Sequence, residues 1–534
     1  MRVAARLSPV VVLALGVTTI LQLVLVNHWP RFESPNERAR VYQAIAVADR
    51  GALDIAVELA RFGAMEDVAS VGGRAFPNKA PGMLPLLLPG ALVARLAAGG
   101  TDAELAWALV LGRLLACSLP FAIAVLLLAG GPARPYPRGT TFAAVALALG
   151  SPLLAASLLA FSHALAACLL LAAFLALHGE ERPGPGAALA AGVLLGWAVA
   201  AEYPAAVPAV VLAATAFPRL GGRGVLRLAL GAALPLGLLA GYNAECFGSP
   251  FTLSSAHEAH GAYAELAARG AFGIGLPSLA GLGELLVSPT RGLLVWMPAV
   301  ALALWPARRH DRWPRHAGGR LALWLAPAAL VVVMSGYANR HGGWFPGPRY
   351  LLMVVPLLAV PLARGAEAAL ARPAGRLLAT VTAAWGAVMV WPCLATFPFP
   401  PEDYPLPAFT LAWPLLRGSG TTAPSWLPDG VVLPLLAVLA IVAVAVLAAA
   451  ATPGARARER AAAVLLAAVP IILAAALVRS PATWKAALER AVIHDVYTAS
   501  TPVGELEALR PRADTDARRA RLEGWIAARD TAVR

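Results

Sequence analysis

Four groups of residues in this chain have types and spacings that could carry out chemistry. The first is the run SPNER at residues 34–38, followed closely by Tyr42. Its carboxylate, Glu37, could deprotonate an acceptor hydroxyl as a general base. The same run also fits the start of a helix, with Ser34 or Asn36 as the N-cap and Glu37 in the first turn. Taken alone, the run favours the helix start.

The second group is GRAFPNKAPG at residues 73–82, directly before an apolar stretch. Lys79 within it would lie at the depth of the lipid headgroups, where an ammonium group can pair with a phosphate. The alternative is a lysine that only extends its charge to the interface along an apolar surface. The sequence leaves both interpretations open.

The third group is the segment GGWFPGPRY at residues 342–350. Its glycines and prolines favour a tight, rigid turn. Arg349 could bind a phosphate with two parallel hydrogen bonds, and Trp344 and Tyr350 could stack on a sugar. An aromatic belt with one arginine at the membrane interface is the alternative. We interpret the segment as functional because turn, arginine and aromatic residues crowd together.

The fourth group consists of ionisable or polar residues at the ends of apolar runs, namely His163, Glu202 with Tyr203, and Asn243 with Glu245. Ionisable groups at membrane depth are costly and are therefore candidates for function, although His163 could equally be a hydrogen-bonded core histidine.

The run SSAHEAH at residues 254–260 has histidines spaced to share one helix face, as in a metal site. No third ligand lies near them, so solvated loop residues are the favoured interpretation.

The elements that must position these residues are membrane-spanning helices. The chain has 534 residues, of which 59% are apolar and 14% charged, and its mean hydropathy is +0.69. Soluble domains are nearer half apolar and a quarter charged. Composition therefore excludes a soluble enzyme, a disordered scaffold and a disulfide-rich secreted domain. The four cysteines contain no CxxC pair, so neither a disulfide framework nor a zinc ribbon is supported.

Thirteen apolar runs come close to the length that a helix needs to cross a bilayer, so we predict 13 spans. They lie near residues 8–27, 105–130, 140–160, 162–178, 187–202, 203–218, 228–246, 291–307, 321–337, 350–363, 377–397, 431–451 and 461–478. The stretch 83–98 is also apolar but short and interrupted by prolines. We predict that it is re-entrant or lies in the interface.

The distribution of charge predicts the orientation. With a cytoplasmic N-terminus, the segments between spans on the inside hold 19 of the 43 basic residues but only five of the 30 acidic residues. This asymmetry follows the positive-inside rule, and it would be violated throughout if 83–98 crossed fully. The net charge of +13 is thus an orientation signal, and no nucleic-acid partner is predicted.

The predicted domains follow from this topology. Residues 1–478 form a transmembrane domain whose first external loop, 28–104, carries juxtamembrane helices and the re-entrant hairpin. Residues 479–534 form a small external helical tail. All four candidate groups then fall on the external side, where long loops concentrate function.

In order and placement, these motifs resemble the GT-C integral-membrane glycosyltransferases. The segment 36–82 is similar to the first external loop of the branch that contains the lipid A aminoarabinose transferase and the protein O-mannosyltransferases. It matches through NER at 36–38 with Tyr42 and through NKAPG at 78–82. The segments 161–165, 201–204 and 343–350 resemble other bacterial membrane glycosyltransferases, so the resemblance spans roughly residues 8–400.

The resemblance implies an all-α polytopic fold in a bacterial inner membrane and an inverting transfer on the outer face. The donor would be a polyprenyl-phosphate sugar held among membrane lipids, and the acceptor a glycan, lipid or protein of the cell envelope. Glu37 would be the base, and Lys79 and Arg349 would bind the donor phosphate. The remaining substrate-binding residues would be Asn36, Tyr42, His163, Glu202, Tyr203, Trp344 and Tyr350.

One position departs from the family pattern. Asn36 stands where the family has a carboxylate that is often the base or a metal ligand. Either Glu37 takes the base role or the metal is dispensable, so a divalent metal ion stays open as a cofactor and no metal ligand is assigned. The alternatives from other classes are a flippase for lipid-linked saccharides and a non-catalytic envelope assembly protein.

Overall fold

A computed structural model gives the arrangement of these segments. It describes residues 7–25, 34–101, 103–131, 135–179, 182–307, 313–401, 404–413, 416, 429–454, 456, 461–465, 519–520, 523 and 526. Almost all of the predicted tail 479–534, and most of the predicted span 461–478, therefore lie outside the described residues.

The described part is helical apart from one small hairpin. In chain order its elements are α1 (Pro9–Leu25), α2 (Pro35–Arg50), α3 (Ala56–Phe62), β1 (Val68–Val71), β2 (Arg74–Pro77), α4 (Leu84–Ala98), α5 (Ala103–Arg113), α6 (Leu119–Gly130), α7 (Pro137–Gly150), α8 (Leu153–Ala156), α9 (His163–His178), α10 (Pro185–Ala201), α11 (Ala206–Phe247), α12 (Gly261–Ala267), α13 (Leu279–Val287), α14 (Leu293–Trp296), α15 (Ala317–Ser335), α16 (Val355–Leu370), α17 (Pro373–Ala395) and α18 (Asp429–Ala451). Short 3₁₀ turns lie at Pro81–Met83, Tyr203–Ala205, Ser254–His257, Pro298–Leu304 and Arg349–Val354.

The structure confirms the predicted fold class, a helical protein with several membrane-spanning helices. Within the described ranges, seven helical segments are long and apolar enough to cross a membrane. They are Pro81–Ala98, Ala103–Gly130, Tyr203–Phe247, Ala317–Ser335, Arg349–Leu370, Pro373–Ala395 and Pro434–Ala451. Three shorter apolar helices, α1, α9 and α10, accompany them.

The predicted number of 13 spans is not confirmed, and glycine and proline explain much of the difference. The predicted span 291–307 is broken into α14 and the 3₁₀ turn Pro298–Leu304, since proline cannot continue the helical hydrogen-bond ladder. The predicted span 140–160 ends as α7 at Gly150. The predicted pair 203–218 and 228–246 corresponds to the two halves of α11, which are two helices joined at Gly221, where φ of 62° and ψ of 173° are not helical.

Glycines allow the helices to approach closely, as is common between membrane helices. A Cβ added at Gly192 would lie 2.0 Å from the carbonyl oxygen of Leu228, and one at Gly231 would lie 2.1 Å from that of Leu189. Both contacts join α10 to the second half of α11. Ser162, at the start of α9, donates to Glu202, at the end of α10, so these two helix ends lie at one end of the bundle, which we call the site end.

The stretch 83–98 forms α4, which turns at its end and packs against α5 as a hairpin. A Cβ at Gly90 would lie 2.9 Å from Leu111 Cβ, and Arg95 approaches Asp49 Oδ1 at 3.4 Å. The hairpin therefore packs on α2, the first helix of the predicted external loop. Its place relative to the membrane, re-entrant or interfacial, stays a prediction.

The hairpin β1–β2 is a feature that the sequence analysis did not predict. Its strands pair antiparallel from Val68 with Pro77 to Val71 with Arg74. The turn consists of Gly72 and Gly73, whose φ values of 57° and 79° suit a tight turn that glycine adopts without strain. The hairpin presents Asn78 and Lys79 at its end.

Candidate functional site

The first helix of the external loop begins at the site end and is fixed there by Glu37. Ser34 caps α2 in a capping box, in which its hydroxyl accepts from Glu37 N and its own N–H donates to the Glu37 carboxylate. The same carboxylate accepts from Arg113 Nε at 2.9 Å, from Arg113 Nη2 at 3.0 Å and from Ala160 N at 2.6 Å. It is fully buried.

This arrangement gives Glu37 a structural role, while its predicted role as the base stays a prediction. Both of its oxygens already accept hydrogen bonds from the protein, two of them from the Arg113 guanidinium. A base must reach the proton that it removes. In this structure Glu37 instead joins α2 to α5 and to the segment before α9, so it positions the site.

One turn further along α2, Arg40 reaches the centre of the site. Its Nη1 donates to Asn36 Oδ1 at 2.6 Å, and its Nη2 donates to Ser162 Oγ at 2.9 Å and lies 3.6 Å from Glu202 Oε2. Ser162 Oγ in turn donates to Glu202 Oε2. A buried arginine, a hydroxyl and a carboxylate thus meet where α2, α9 and α10 converge.

The segment that carries Lys79 is held against the end of α10. Gly82 makes this contact possible, since an added Cβ would lie 2.4 Å from backbone atoms of Ala200 and Ala201. Trp197 Nε1 also donates to Gly82 O at 2.8 Å. This close approach brings the Lys79 segment beside Glu202, although the two belong to distant parts of the sequence.

Lys79 belongs to a second charged cluster. Its Nζ lies 3.1 Å from Asp67 Oδ2, and Asn78 Nδ2 donates to Asp67 Oδ1 at 3.2 Å. Asn78 Nδ2 also contacts both oxygens of Glu258, at 2.7 and 2.9 Å. Asp67 interacts electrostatically with Arg40 and Arg349, so this cluster adjoins the one around Glu202.

The loop 342–350 closes the site from the other side. Gly342, Gly343 and Gly347 have φ values of 74°, 69° and 94°, which residues with a Cβ rarely adopt. The Arg349 guanidinium lies 5.3 Å from the centre of the Phe161 ring and 5.0 Å from that of Tyr350, and its Nη2 donates to Tyr350 Oη at 3.1 Å.

Arg349 differs from the other cations of the site. Arg113, Arg40 and Lys79 each face a carboxylate, whereas Arg349 forms no ion pair with any carboxylate in the described part of the chain. Its contacts are two aromatic faces and one hydroxyl. A guanidinium in such surroundings is suited to bind an anion that the protein itself does not supply.

Several polar atoms at the site are buried without a hydrogen-bond partner among the described protein atoms. They are Arg40 Nε, Asn78 Oδ1, His163 Nδ1, His163 Nε2, Tyr203 Oη and Arg349 Nε. Buried polar groups in proteins are nearly always paired, so a convergent set without partners indicates a place for a polar ligand. His163 lies among aromatic rings, 6.0 Å from Tyr350 and 6.5 Å from Phe345, measured between ring centres.

The structure brings most of the predicted residues together and leaves two at a distance. Asn36, Lys79, His163, Glu202, Tyr203, Arg349 and Tyr350 line the site, as described above. Tyr42 is buried beneath α3, where its Oη donates to Gly63 O at 3.3 Å and its ring packs on Phe62. Trp344 is 44% exposed and packs edge-on against Phe397, so it lies at the rim.

Sequence reasoning missed five contributors, namely Arg40, Asp67, Arg113, Ser162 and Glu258. Arg40 had a usable signal, since it lies four residues after Asn36 on the same helix face. Arg113, Ser162 and Glu258 contact partners far away in the chain, and Asp67 contacts Asn78 and Lys79 across the hairpin β1–β2. The histidines of the run 254–260 pack on aromatic rings, His257 on Phe247 and His260 on Tyr263. Within the described ranges, no three His, Cys, Asp or Glu residues are grouped as a metal site would require.

The fold and the side-chain contacts together define a multi-pass helical membrane protein with a buried cluster of charged and polar residues at one end of its bundle. No protein-family model matches the chain, and no curated protein matches it by sequence.

Two solved structures are similar to it. One is ArnT from Cupriavidus metallidurans in the apo state, with a TM-score of 0.48 and 16% identity, covering 90% of this chain and 79% of that chain. The other is the same protein bound to undecaprenyl phosphate, with a TM-score of 0.47 and 16% identity, covering 90% of this chain and 80% of that chain.

Proposed function

We propose that this chain is a GT-C-type membrane glycosyltransferase that moves a sugar from a polyprenyl-phosphate donor to an acceptor of the cell envelope, with inversion. One observation carries the proposal. At the site end of the bundle, the cations Arg40 and Arg349 present buried nitrogens that have no partner among the described protein atoms. A phosphodiester is an anion that fits such a site, and its lipid tail would extend among the membrane helices.

The remaining residues suit the sugar. Asn36, His163, Glu202, Tyr203 and Tyr350 provide hydroxyl, amide, imidazole and carboxylate groups that can bind sugar hydroxyls. The aromatic rings around His163 supply apolar faces for the ring carbons, and Trp344 stands at the rim. Tyr42 supports α2 from below and is assigned no direct contact.

The chemistry is a single displacement. The acceptor oxygen attacks the anomeric carbon, the bond from that carbon to the phosphate oxygen breaks, and the lipid phosphate leaves with the bonding electrons. Negative charge grows on the phosphate in this step. Arg349 and Lys79 are fixed in advance by their loops, so they stabilise that charge without reorganising. Attack from the opposite face inverts the configuration.

The proposal includes the orientation and the domains predicted from sequence. The site would face the outside of a bacterial cytoplasmic membrane, with the N-terminus in the cytoplasm, residues 1–478 as the transmembrane domain and 479–534 as an external tail. A divalent metal ion is not needed for the displacement as written. The identities of the sugar and of the acceptor are to be determined by experiment.

The test is release of free polyprenyl phosphate from a panel of polyprenyl-phosphate sugars, with membranes containing the wild type or Arg349→Ala. Arg269→Ala is the matched control, since Arg269 is an exposed arginine of the segment 247–290. We expect acceptor-dependent release by the wild type and the control. Arg349→Ala should lower turnover by about 10²–10³-fold, the usual loss when one fixed donor to developing charge is removed.

Two results would overturn the proposal. One is equal turnover by Arg349→Ala and the wild type. The other is no release from any donor, combined with movement of a labelled donor lipid across the bilayer. The second result would assign the chain to the flippases.

A further inference from the structure

The segment after α11 returns to the site and places Glu258 there. Ser254 Oγ donates to Asn78 O at 2.9 Å, and Ala259 N donates to Val68 O at 2.9 Å. Between these contacts, Glu258 pairs with Ala69 as an isolated antiparallel bridge. Glu258 is thus held by its backbone against the hairpin β1–β2, beside Asn78 and Lys79.

The Glu258 side chain is held by an amide. Asn78 Nδ2 contacts both of its oxygens, at 2.7 and 2.9 Å. The neighbouring Lys79 pairs through its Nζ with Asp67 at 3.1 Å. Glu37, Glu202 and Asp67 each form an ion pair, whereas Glu258 forms none within the described ranges. A carboxylate without an ion-pair partner keeps more of its affinity for a proton.

The surroundings of Glu258 act on this affinity in both directions. Partial burial raises the pKa of Glu258 to about 7, with Asp67 adding to the rise, while the hydrogen bond from Asn78 and the charge of Lys79 oppose it. Tyr263 of α12 also faces Glu258. His257, which precedes Glu258 in the sequence, stacks on Phe247. General bases work best when their pKa lies near the operating pH.

We propose that Glu258 is the general base of the transfer reaction, an inference that rests on the proposed function. The proton of the acceptor hydroxyl passes to a Glu258 carboxylate oxygen as the acceptor oxygen forms its bond to the anomeric carbon. The bond from that carbon to the phosphate oxygen breaks, and the lipid phosphate takes its electrons. The products are the glycosylated acceptor, the free lipid phosphate and a protonated Glu258, which then returns its proton to water.

The first variant to measure is Glu258→Gln, with Glu265→Gln as control, because Glu265 is an exposed carboxylate of the same segment. Loss of a general base should lower kcat by about 10²–10⁴-fold. The KM for the donor should stay unchanged, and Glu258→Asp should restore part of the rate. The wild-type rate should rise with pH through about 7, since the base acts when ionised, and this rise should vanish in Glu258→Gln.

A second variant tests the same idea without touching the carboxylate. Asn78→Ala removes a hydrogen bond that favours the ionised form, so the pKa of Glu258 should rise and the ascending limb of the pH profile should move to higher pH. A merely structural role of Asn78 would lower the rate without moving the limb. An unmoved limb would therefore overturn the assignment of Glu258.

The outcomes separate the two proposals. If the wild type releases no polyprenyl phosphate from any donor, the proposed function fails, and the role of Glu258 fails with it. If the wild type is active and Glu258→Gln keeps both its rate and its pH profile, only the assignment of the base fails. Thermal unfolding and polyprenyl-phosphate binding by Glu258→Gln should match the wild type.

Discussion

The ion pair of Glu37 with Arg113 offers a decisive test of what Glu37 does. The change is Glu37→Gln, which keeps an oxygen for Ala160 N but turns an amide N–H group toward a guanidinium that has only donors. Both side chains are almost completely buried, at 0% exposure for Glu37 and 1% for Arg113. Removing one partner of a buried pair typically costs about 3–5 kcal/mol.

A double-mutant cycle measures the pair itself. In Glu37→Gln with Arg113→Gln, two amides face each other and no charge is left unpaired, so we expect at least half of the lost stability to return. Unfolding of the full chain in mixed detergent micelles, followed by tryptophan fluorescence, gives the free energies. Turnover should follow the same order, because α2 carries Arg40 and its position depends on the pair.

The alternative, Glu37 as the base, predicts a different pattern. Glu37→Gln would then be as stable as the wild type and inactive, and the double variant would stay inactive because it has no carboxylate at this position. Normal stability in Glu37→Gln together with complete loss of turnover would refute our interpretation of Glu37 as a positioning residue.

Two further substitutions test how the site is held together. Gly82→Ala would place a Cβ 2.4 Å from backbone atoms at the end of α10. We therefore expect the unfolding free energy to fall by about 1–3 kcal/mol and the KM for the donor to rise. Gly237→Ala is the control and should show neither effect, since a Cβ there would have nothing within 4 Å. Arg291 is buried and donates to Gly343 O and Pro400 O, both at 3.0 Å. Arg291→Met should therefore free the loop that carries Arg349 and, in the release assay, raise the KM for the donor more than it lowers kcat. An unchanged KM would contradict this role of Arg291.

The sequence carried signals for several residues that the structure brings together. Ionisable residues such as His163 and Glu202 stand at the ends of apolar runs, and the bias of arginine toward one set of loops orients those ends. The Pro- and Gly-rich segment with Arg349 and the run with Lys79 were predicted as site residues because both cations can bind a phosphate. The structure places all four residues at the site end of the bundle.

The partners of these residues could not be predicted, because they are distant in the chain. Glu37 meets Arg113, 76 residues away, Arg40 meets Ser162 across 122 residues, and Asn78 meets Glu258 across 180 residues. Periodicity reports which face of a helix is apolar, but it carries no information about which distant side chain completes a charge pair. The ion pair between Glu37 and Arg113 could not be predicted for this reason.

The number of membrane spans also could not be predicted from the hydropathy of the sequence. Apolar length predicts a crossing, yet the predicted span 291–307 is split at Pro298 and α7 stops at Gly150. Apolar residues that are buried inside the protein have the same composition as residues that face lipid. Hydropathy alone therefore does not separate a spanning helix from an interrupted one.

The central claim is that the cations at the site end bind the phosphate of a lipid-linked donor. It is tested most directly by the affinity of the purified full chain, in lipid nanodiscs, for polyprenyl phosphate and for the matching polyprenol. We predict saturable binding of the phosphate, no binding of the alcohol, and about 10–100-fold weaker phosphate binding by Arg349→Ala, the scale of charged hydrogen bonds lost. Equal binding of phosphate and alcohol, or full affinity in Arg349→Ala, would contradict the claim.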